Sequence, residues 1–372
     1  MPNQMTNDER NPNSEEQKSD RRSDLIFGFW GFIRHSSFVI GHSVLLFLIA
    51  TLLSARSSAA EATNAAYNVR AGTRTTVVVA ADGSGDFKTV QEGIQATATG
   101  SLNQSIIVHI KPGNYREQVY VQREKRFLHL IGESATNTIL TFDLNANLPG
   151  PGGKPIGTFR TPSTYVDADD FTAENITFEN SAGPVGQALA IRLDGDRLAF
   201  RNCRFLGWQD TILDNRGRHY FENCYIAGHV DFIFGAATSW FQKCHIHCLR
   251  DGYITAASTP EGTPFGFVFS NCRITSETTR VKTFLGRPWR AHANVIWMNC
   301  EMAQCVQPAG WDNWRDPNRE KTVRYAEFNN SGSGANSSGR VGWARQLNSE
   351  QAKEVTVEKV LAGMDKWSPP GG

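Results

Sequence analysis

The sequence predicts an all-β fold, a β solenoid, on three observations: a short phrase recurs along the chain, polar and apolar residues alternate within it, and no long 3.6-residue periodicity separates its copies. The phrase reads ITFEN at 176–180, AFRNCRF at 199–205, YFENCYI at 220–226, WFQKCHI at 240–246, VFSNCRI at 268–274 and IWMNCEM at 296–302. Each copy holds an aromatic residue (Phe178, Phe200, Phe221, Phe241, Phe269 and Trp297), at successive spacings of 22, 21, 20, 28 and 28 residues. Repeats of this length, each a few short strands, stack as coils ~4.8 Å apart, so that one position repeats as a ladder of like side chains.

Taken from the N-terminus, residues 1–24 are polar and charged, and Leu25 to Leu53 is apolar with interruptions at Arg34, His35 and His42. The run SVLLFLIATLL is followed by SARSSAAEA, small residues that suit a signal-peptidase site near Ala60 or Ala62. Arg21, Arg22 and Arg34 precede the run, the charge order of a segment whose N-terminus stays in the cytoplasm. Residues 1–62 thus read as a polar leader with an export signal, for a secreted or periplasmic protein. The alternative is an uncleaved membrane anchor, because residues 36–55 are about long enough to span a bilayer. Residues 63–74 form a linker and 75–365 the folded domain.

Within that domain KTVQEGIQATA at 88–98 is expected to be a short helix that caps the first coil. The coils run from about residue 75 to 330, and a C-terminal tail with a helix at about 349–362 packs along their side. With 40% hydrophobic and 20% charged residues over 372 positions the chain can bury a large core, and its 33 Gly and 15 Pro suit a turn-rich fold. A net charge of +1 supplies no global field for nucleic acid, which is set aside as a partner.

The repeat also accounts for the cysteines. Cys203, Cys224, Cys244, Cys272 and Cys300 all follow the Asn or Lys of the phrase, so they are expected as a stack of buried small side chains rather than as disulfides. Cys248 and Cys305 fall outside the ladder and either pair or stay free. Asn202, Asn223, Asn271 and Asn299 read as a corner ladder, since Asn tolerates the left-handed backbone of a sharp turn.

One dipeptide stands out against this background, Gln209–Asp210 in WQDTIL at 208–213. Asp210 lies ten residues after Phe200 and Asp231 ten after Phe221, while Gln209 lies nine after Phe200 and Gln187 nine after Phe178. Two carboxylates and two amides therefore fall on three consecutive coils, with Asp210 and Asp231 as neighbours. A polar turn ladder is one reading. The other is a functional pair, because two adjacent acids repel unless something separates them.

Five motifs then carry a resemblance: GNYRE at 113–117, GPVGQALAIRL at 183–193, GWQDTIL at 207–213, VDFIFG at 230–235 and LGRPW at 285–289. In this order they resemble the motif series of the pectin methylesterases, carbohydrate esterases with a right-handed parallel β-helix fold. The resemblance extends from VAADGSGDFKTVQEGI near residue 79 to GRVGWARQL near 347. It implies Asp231 as nucleophile, Asp210 as general acid and base, Gln187 and Gln209 as oxyanion donors, Arg287 as the holder of the nucleophile, and Trp289 as a wall of the sugar groove. Thr158 in GTFRT matches a substrate-contacting position. The family commonly continues QDTL with Tyr, where this chain has Ile212, Leu213 and Asp214, so one wall of the groove is expected to differ. The 56 residues from Asp231 to Arg287 imply short loops and a more open cleft.

The chemistry follows from the residue types. Hydrolysis of a uronate methyl ester needs a nucleophile, a proton donor for methoxide, and donors to the developing oxyanion. Arg287 is expected to favour ionised Asp231, whose charge in turn favours a protonated Asp210. No metal or organic cofactor is required; the resemblance implies pectin (methylated polygalacturonate) as the partner, and a monomer is expected. Rival readings are a polysaccharide lyase or polygalacturonase on the same solenoid, an esterase for another ester or thioester, and a non-catalytic polysaccharide-binding protein. The paired Gln residues and LGRPW favour the ester. His229, two residues before Asp231, reads as structural; His245 and His247 resemble a metal pair only with a third ligand nearby. GWDNW at 310–314 either lines the groove or packs.

Overall fold

The structure, a computed structural model, describes residues 72–370. The leader, the export signal or anchor, and all of the linker before residue 72 lie outside the described residues. Short parallel strands wind through successive coils and build three faces. The first face holds eleven described strands in order from Thr76–Val79 to Arg345–Gln346, each paired in parallel with its counterpart in the next coil. The second face contains Thr177–Asn180, Arg204–Leu206 and Arg273–Ser276, and the third Thr164–Val166, Ile191–Leu193, Ile212–Asp214 and Thr283–Gly286. Two long strands, Tyr225–Gly235 and His245–Ala257, run continuously from the second face onto the third. Their mutual register shifts between Gly228 and Ile233, where the chain turns the corner.

Inside the coils, Phe200, Phe221, Phe241, Phe269 and Trp297 pair in register and stack with ring centroids 5.0, 4.5, 4.4 and 3.8 Å apart. All five are fully buried. Each such burial stabilises by roughly 1.5–3 kcal/mol, and stacking adds ~0.5–1.5 kcal/mol per pair. Phe178 does not belong to this ladder. Its register partner is Phe205 on the second face, while Ala173 pairs with Phe200. The correction has a simple cause: strands on both faces alternate with the same two-residue period, so alternation alone does not tell one face from the next.

The corner residues of successive coils are Asn175, Asn202, Asn223, Lys243, Asn271 and Asn299, all left-handed with φ between 51° and 58°. Asn180, the Asn of ITFEN, is instead buried and donates from Nδ2 to the carbonyls of Leu144, Thr161 and Leu189. The five ladder cysteines are buried free thiols that donate to carbonyls of the preceding coil, as Cys224 does to Phe200 at 3.5 Å. Cys248 and Cys305 are likewise buried free thiols.

The expected N-terminal helix is Val90–Ala96, opened by Thr89, whose hydroxyl accepts from the Glu92 amide at 3.2 Å. Glu117 accepts from the amides of Val90 and Gln91 at 2.8 and 3.0 Å, which offsets the helix's unpaired N–H groups. Val90 and Ile94 join the same core as Val77 and Val79, and the helix lies so close that a Cβ on Gly93 would stand 2.5 Å from Val79 Cγ2.

The C-terminal helix expected at 349–362 is two helices, Ser349–Lys353 and Val357–Leu361. Asn348 and Gln351 form a capping box on the first, and Thr356, in extended conformation, caps the second by accepting from the Lys359 amide. A second N-cap inside the segment ends the first helix. Val355, Val360 and Leu361 cover an outward apolar row of the first face: Tyr220, Trp240, Val268 and Ile296, with Met298 and Ala326. That cover explains the sequence doublets Tyr220–Phe221, Trp240–Phe241, Val268–Phe269 and Ile296–Trp297, one residue of each pair facing in and the other out beneath the tail. Arg218 ties the tail down through the carbonyls of Leu361 and Ala362 at 3.1 and 2.8 Å.

Candidate active site

Register places the acids. Ile212 pairs with Ile233 and Leu213 with Phe234, so Asp210 and Asp231 occupy equivalent positions on adjacent coils, and the Asp210 amide donates to the Val230 carbonyl at 3.0 Å. Both are left-handed, with φ of 64° and 51°, where the chain turns onto the third face. Short polar side chains tolerate this conformation, which accounts for Asp at a sharp corner. Both are buried, at 5% and 2% exposure.

Gln187 and Gln209 pair across adjacent coils, and the Ala188 amide donates to the Gln209 carbonyl at 3.1 Å. The pairing is as expected from the sequence, but the count behind it is not. The coil equivalent of Phe200 is Ala173, so Gln187 lies fourteen residues into its coil and Gln209 nine into its own. The loop at 181–186 absorbs the difference of five, and the Asn147 side chain holds it by donating to the Val185 carbonyl at 2.9 Å.

Arg287 follows Thr283–Gly286, and its amide donates to Thr255. Its side chain returns towards the acids and meets Asp231 in a two-bond pair, Nε to Oδ1 at 2.9 Å and Nη2 to Oδ2 at 2.6 Å. Both carboxylate oxygens accept, the geometry of an ionised pair. Burial nevertheless pushes the Asp231 carboxyl above its ordinary value, Arg287 opposes that rise, and Asp312 adds to it. The sequence reading credited Arg287 alone with setting this group; burial of the whole side chain is the larger effect.

Around the pair lies an aromatic floor. Leu189, Leu213, Phe234 and Ala256 form a buried outward cluster of the third face, with Phe159, Trp289 and Trp314 packed on it. Leu213 is therefore a fully buried part of the floor rather than a wall. Trp289 stands edge-on to Phe234 at 5.7 Å and 6.5 Å from Phe159. Thr158 opens the single turn Thr158–Arg160 that delivers Phe159.

Tyr253, Phe159 and Asp312 escaped the sequence reading, and Trp314 entered it only as half of GWDNW. The two Trp residues of that motif divide the roles: Trp311 is buried, stacks on Tyr325 at 4.3 Å and donates to Glu327, whereas Trp314 lies against Arg287. The repeat carries no signal for Tyr253: Val230 lies nine residues after Phe221, but its partner Tyr253 lies twelve after Phe241, because the register shifts at the corner. His229 stands edge-on to Trp208 at 5.7 Å, and burial lowers its pKa. His245 and His247 share the Thr275 hydroxyl, each at 2.7 Å, and no cluster of three metal-ligating side chains occurs among the described residues.

Comparison with known proteins gives this geometry a family. The family model Pectinesterase matches residues 76–364. The chain belongs to the pectinesterase family. Pectinesterase 31 of Arabidopsis thaliana is 42% identical over 284 residues, covering 74% of this chain and 89% of that protein. The pectin methylesterase from carrot superposes with a TM-score of 0.72 at 36% identity, covering 77% of this chain and 93% of that one. A pectin methylesterase in complex with hexasaccharide VII gives a TM-score of 0.69 at 28% identity, over 80% of this chain and 99% of that one. The parallel β-helix of this pectinesterase is thus the fold of the family's solved members, and the chain is a carboxylic ester hydrolase.

Proposed function

We propose that this pectinesterase hydrolyses the methyl esters of galacturonic acid units in pectin through a covalent intermediate on Asp231. An Asp231 oxygen attacks the ester carbonyl carbon, and Gln187 and Gln209 donate to the oxyanion that forms. As the intermediate collapses, the bond to methoxide breaks and Asp210 gives it a proton, releasing methanol and leaving an acyl–Asp231 anhydride. Water then attacks the anhydride carbonyl, Asp210 takes its proton, and the demethylated uronate departs as Asp231 regains its carboxylate.

The observation that carries this reading is the buried Asp231–Arg287 pair one coil from Asp210 and beside the paired glutamines. A hydrolase of the glycosidic bond has two acids but no acyl oxyanion, and so no use for two convergent amides. Phe159 and Trp289 offer faces for the sugar rings, and a pectin methylesterase 28% identical to this chain forms a complex with a hexasaccharide.

The test is methanol release from methylated pectin at equal folded concentration. Asp231→Asn should lose several orders of magnitude while still binding pectin, and His229→Ala should keep most activity. The opposite pattern, an active Asp231 variant and a dead His229 variant, sinks the carboxylate mechanism. Because pectin is a wall polymer that does not enter cells, the enzyme acts after export, with cleavage near residue 60. Mass spectrometry of the mature N-terminus checks this, and a chain that retains residues 25–55 means an anchor instead.

A further inference from the structure

The Arg287 guanidinium has rings on both sides: its carbon lies 3.9 Å from the centroid of Tyr253 and 3.8 Å from that of Trp314. Tyr253 is itself stacked on Phe284 at 5.4 Å, so that side of the sandwich is part of the regular ladder. The Trp314 side is not. Trp314 and Arg315 are consecutive left-handed residues, with φ of 59° and 56°, a conformation that bulky side chains adopt only where their surroundings enforce it.

The enforcement is visible bond by bond. Asp312 Oδ1 accepts from the Trp314 amide at 2.7 Å and Asn313 Oδ1 from the Arg315 amide at 2.9 Å, while Asn313 Nδ2 donates to Glu320 at 2.7 Å. The turn is fastened to the segment that bears Arg287: the Asp312 amide donates to the Gly286 carbonyl at 3.1 Å, and Arg319 donates to the carbonyl of Pro288. A turn whose only task was to cross the surface has no need of two strained residues in succession.

We infer that Tyr253 and Trp314 are positioning residues of the ester-hydrolysing site, two aromatic faces that keep the Arg287 guanidinium in the plane that presents Nε and Nη2 to Asp231. The inference deepens the mechanism above and rests on Asp231 as its nucleophile. Flat cation–π contacts on both faces leave a guanidinium free to donate only at its edge, and that edge meets the carboxylate. Besides Asp231, the charged or titratable groups about Arg287 and the rings are Tyr253 itself, Asp312, Arg315, Tyr325 and, beyond Trp314 at 5.9 Å, Arg319.

The experiment measures kcat, KM and the pH dependence of kcat/KM on methylated pectin for Trp314→Leu, Trp314→Phe, Tyr253→Leu and Tyr253→Phe, with Asp231→Asn alongside. Each Leu variant should lose on the order of tenfold or more in kcat and move the acid limb to higher pH, because a guanidinium free to turn favours the carboxylate less. Each Phe variant keeps a flat face and should stay within about threefold of wild type with its limb in place. A rise in KM alone, with the limb unmoved, makes Trp314 only a sugar-stacking surface and overturns the inference. So does a lower Tm with unchanged activity per folded molecule. If Trp314→Leu does not fold, the Tyr253 pair decides by the same criteria. An active Asp231→Asn would sink the mechanism itself, whereas an inactive one beside unmoved acid limbs sinks only the positioning role.

Discussion

At the scale of single residues, the site depends on what burial does to one carboxyl group. Asp231 must be ionised to attack, and burial raises its value above the ordinary 3.8 despite Arg287. Activity should therefore be lost as pH falls through that raised value, with the acid limb of kcat/KM above the range of a free carboxylate; a limb at or below 3.8 contradicts the assignment. Removing Arg287's charge in Arg287→Gln should move the limb higher still. The remaining residues divide by chemistry. Asp210→Asn should cost about as much as Asp231→Asn, because methoxide without a proton donor leaves poorly, whereas Gln187→Ala should cost roughly 10²–10³ in kcat, the usual worth of one oxyanion donor. Methanol release at fixed pH ranks the three.

At the scale of elements, the coil is held by one inward aromatic and one left-handed corner per turn. Phe241 stacks between Phe221 and Phe269, so Phe241→Ala opens a cavity inside a continuous ladder and should cost ~3–5 kcal/mol, read as a fall in denaturant midpoint. The corner makes the opposite kind of prediction. Lys243 alone breaks the run of Asn from Asn175 to Asn299, yet it adopts the same left-handed φ of 52°. Lys243→Asn should raise stability by a few tenths to ~1 kcal/mol, because Asn bears that conformation at lower cost. A fall in Tm for this variant would show that the Lys243 side chain contributes something its corner does not reveal. The ladder itself was legible in the sequence, since it repeats. What misled was the first copy, where Phe178 sits on the second face with the same alternation as its neighbours on the first. The C-terminal helix misled for a different reason: Thr356 follows a helical stretch and restarts it, and a local pattern of apolar residues runs through the break.

At the scale of the whole molecule, the flank of the coils is laced by carboxylates whose values are depressed by their partners. Burial alone would raise Asp194, Asp170 and Asp196, but hydrogen bonds and charge from Arg192, from Arg197 and Arg126, and from Arg218 overcome it and lower all three. A carboxyl lowered on folding contributes stability that is present above its unfolded value and lost as pH falls through the folded one. The protein should therefore lose stability steadily on acidification, followed by thermal melts from neutral pH downward, and Arg218→Ala should flatten that dependence while loosening the tail it holds. By itself the sequence determined the solenoid, the inward ladder, the corner residues and the two acids on neighbouring coils, because each is written in a local period that repeats. The tertiary structure alone decided which face each strand joins, how the loop at 181–186 brings Gln187 level with Gln209, and which rings enclose Arg287. Those relations join residues tens of positions apart, as Asp231 and Arg287 are by 56, and a local period carries no record of such contacts.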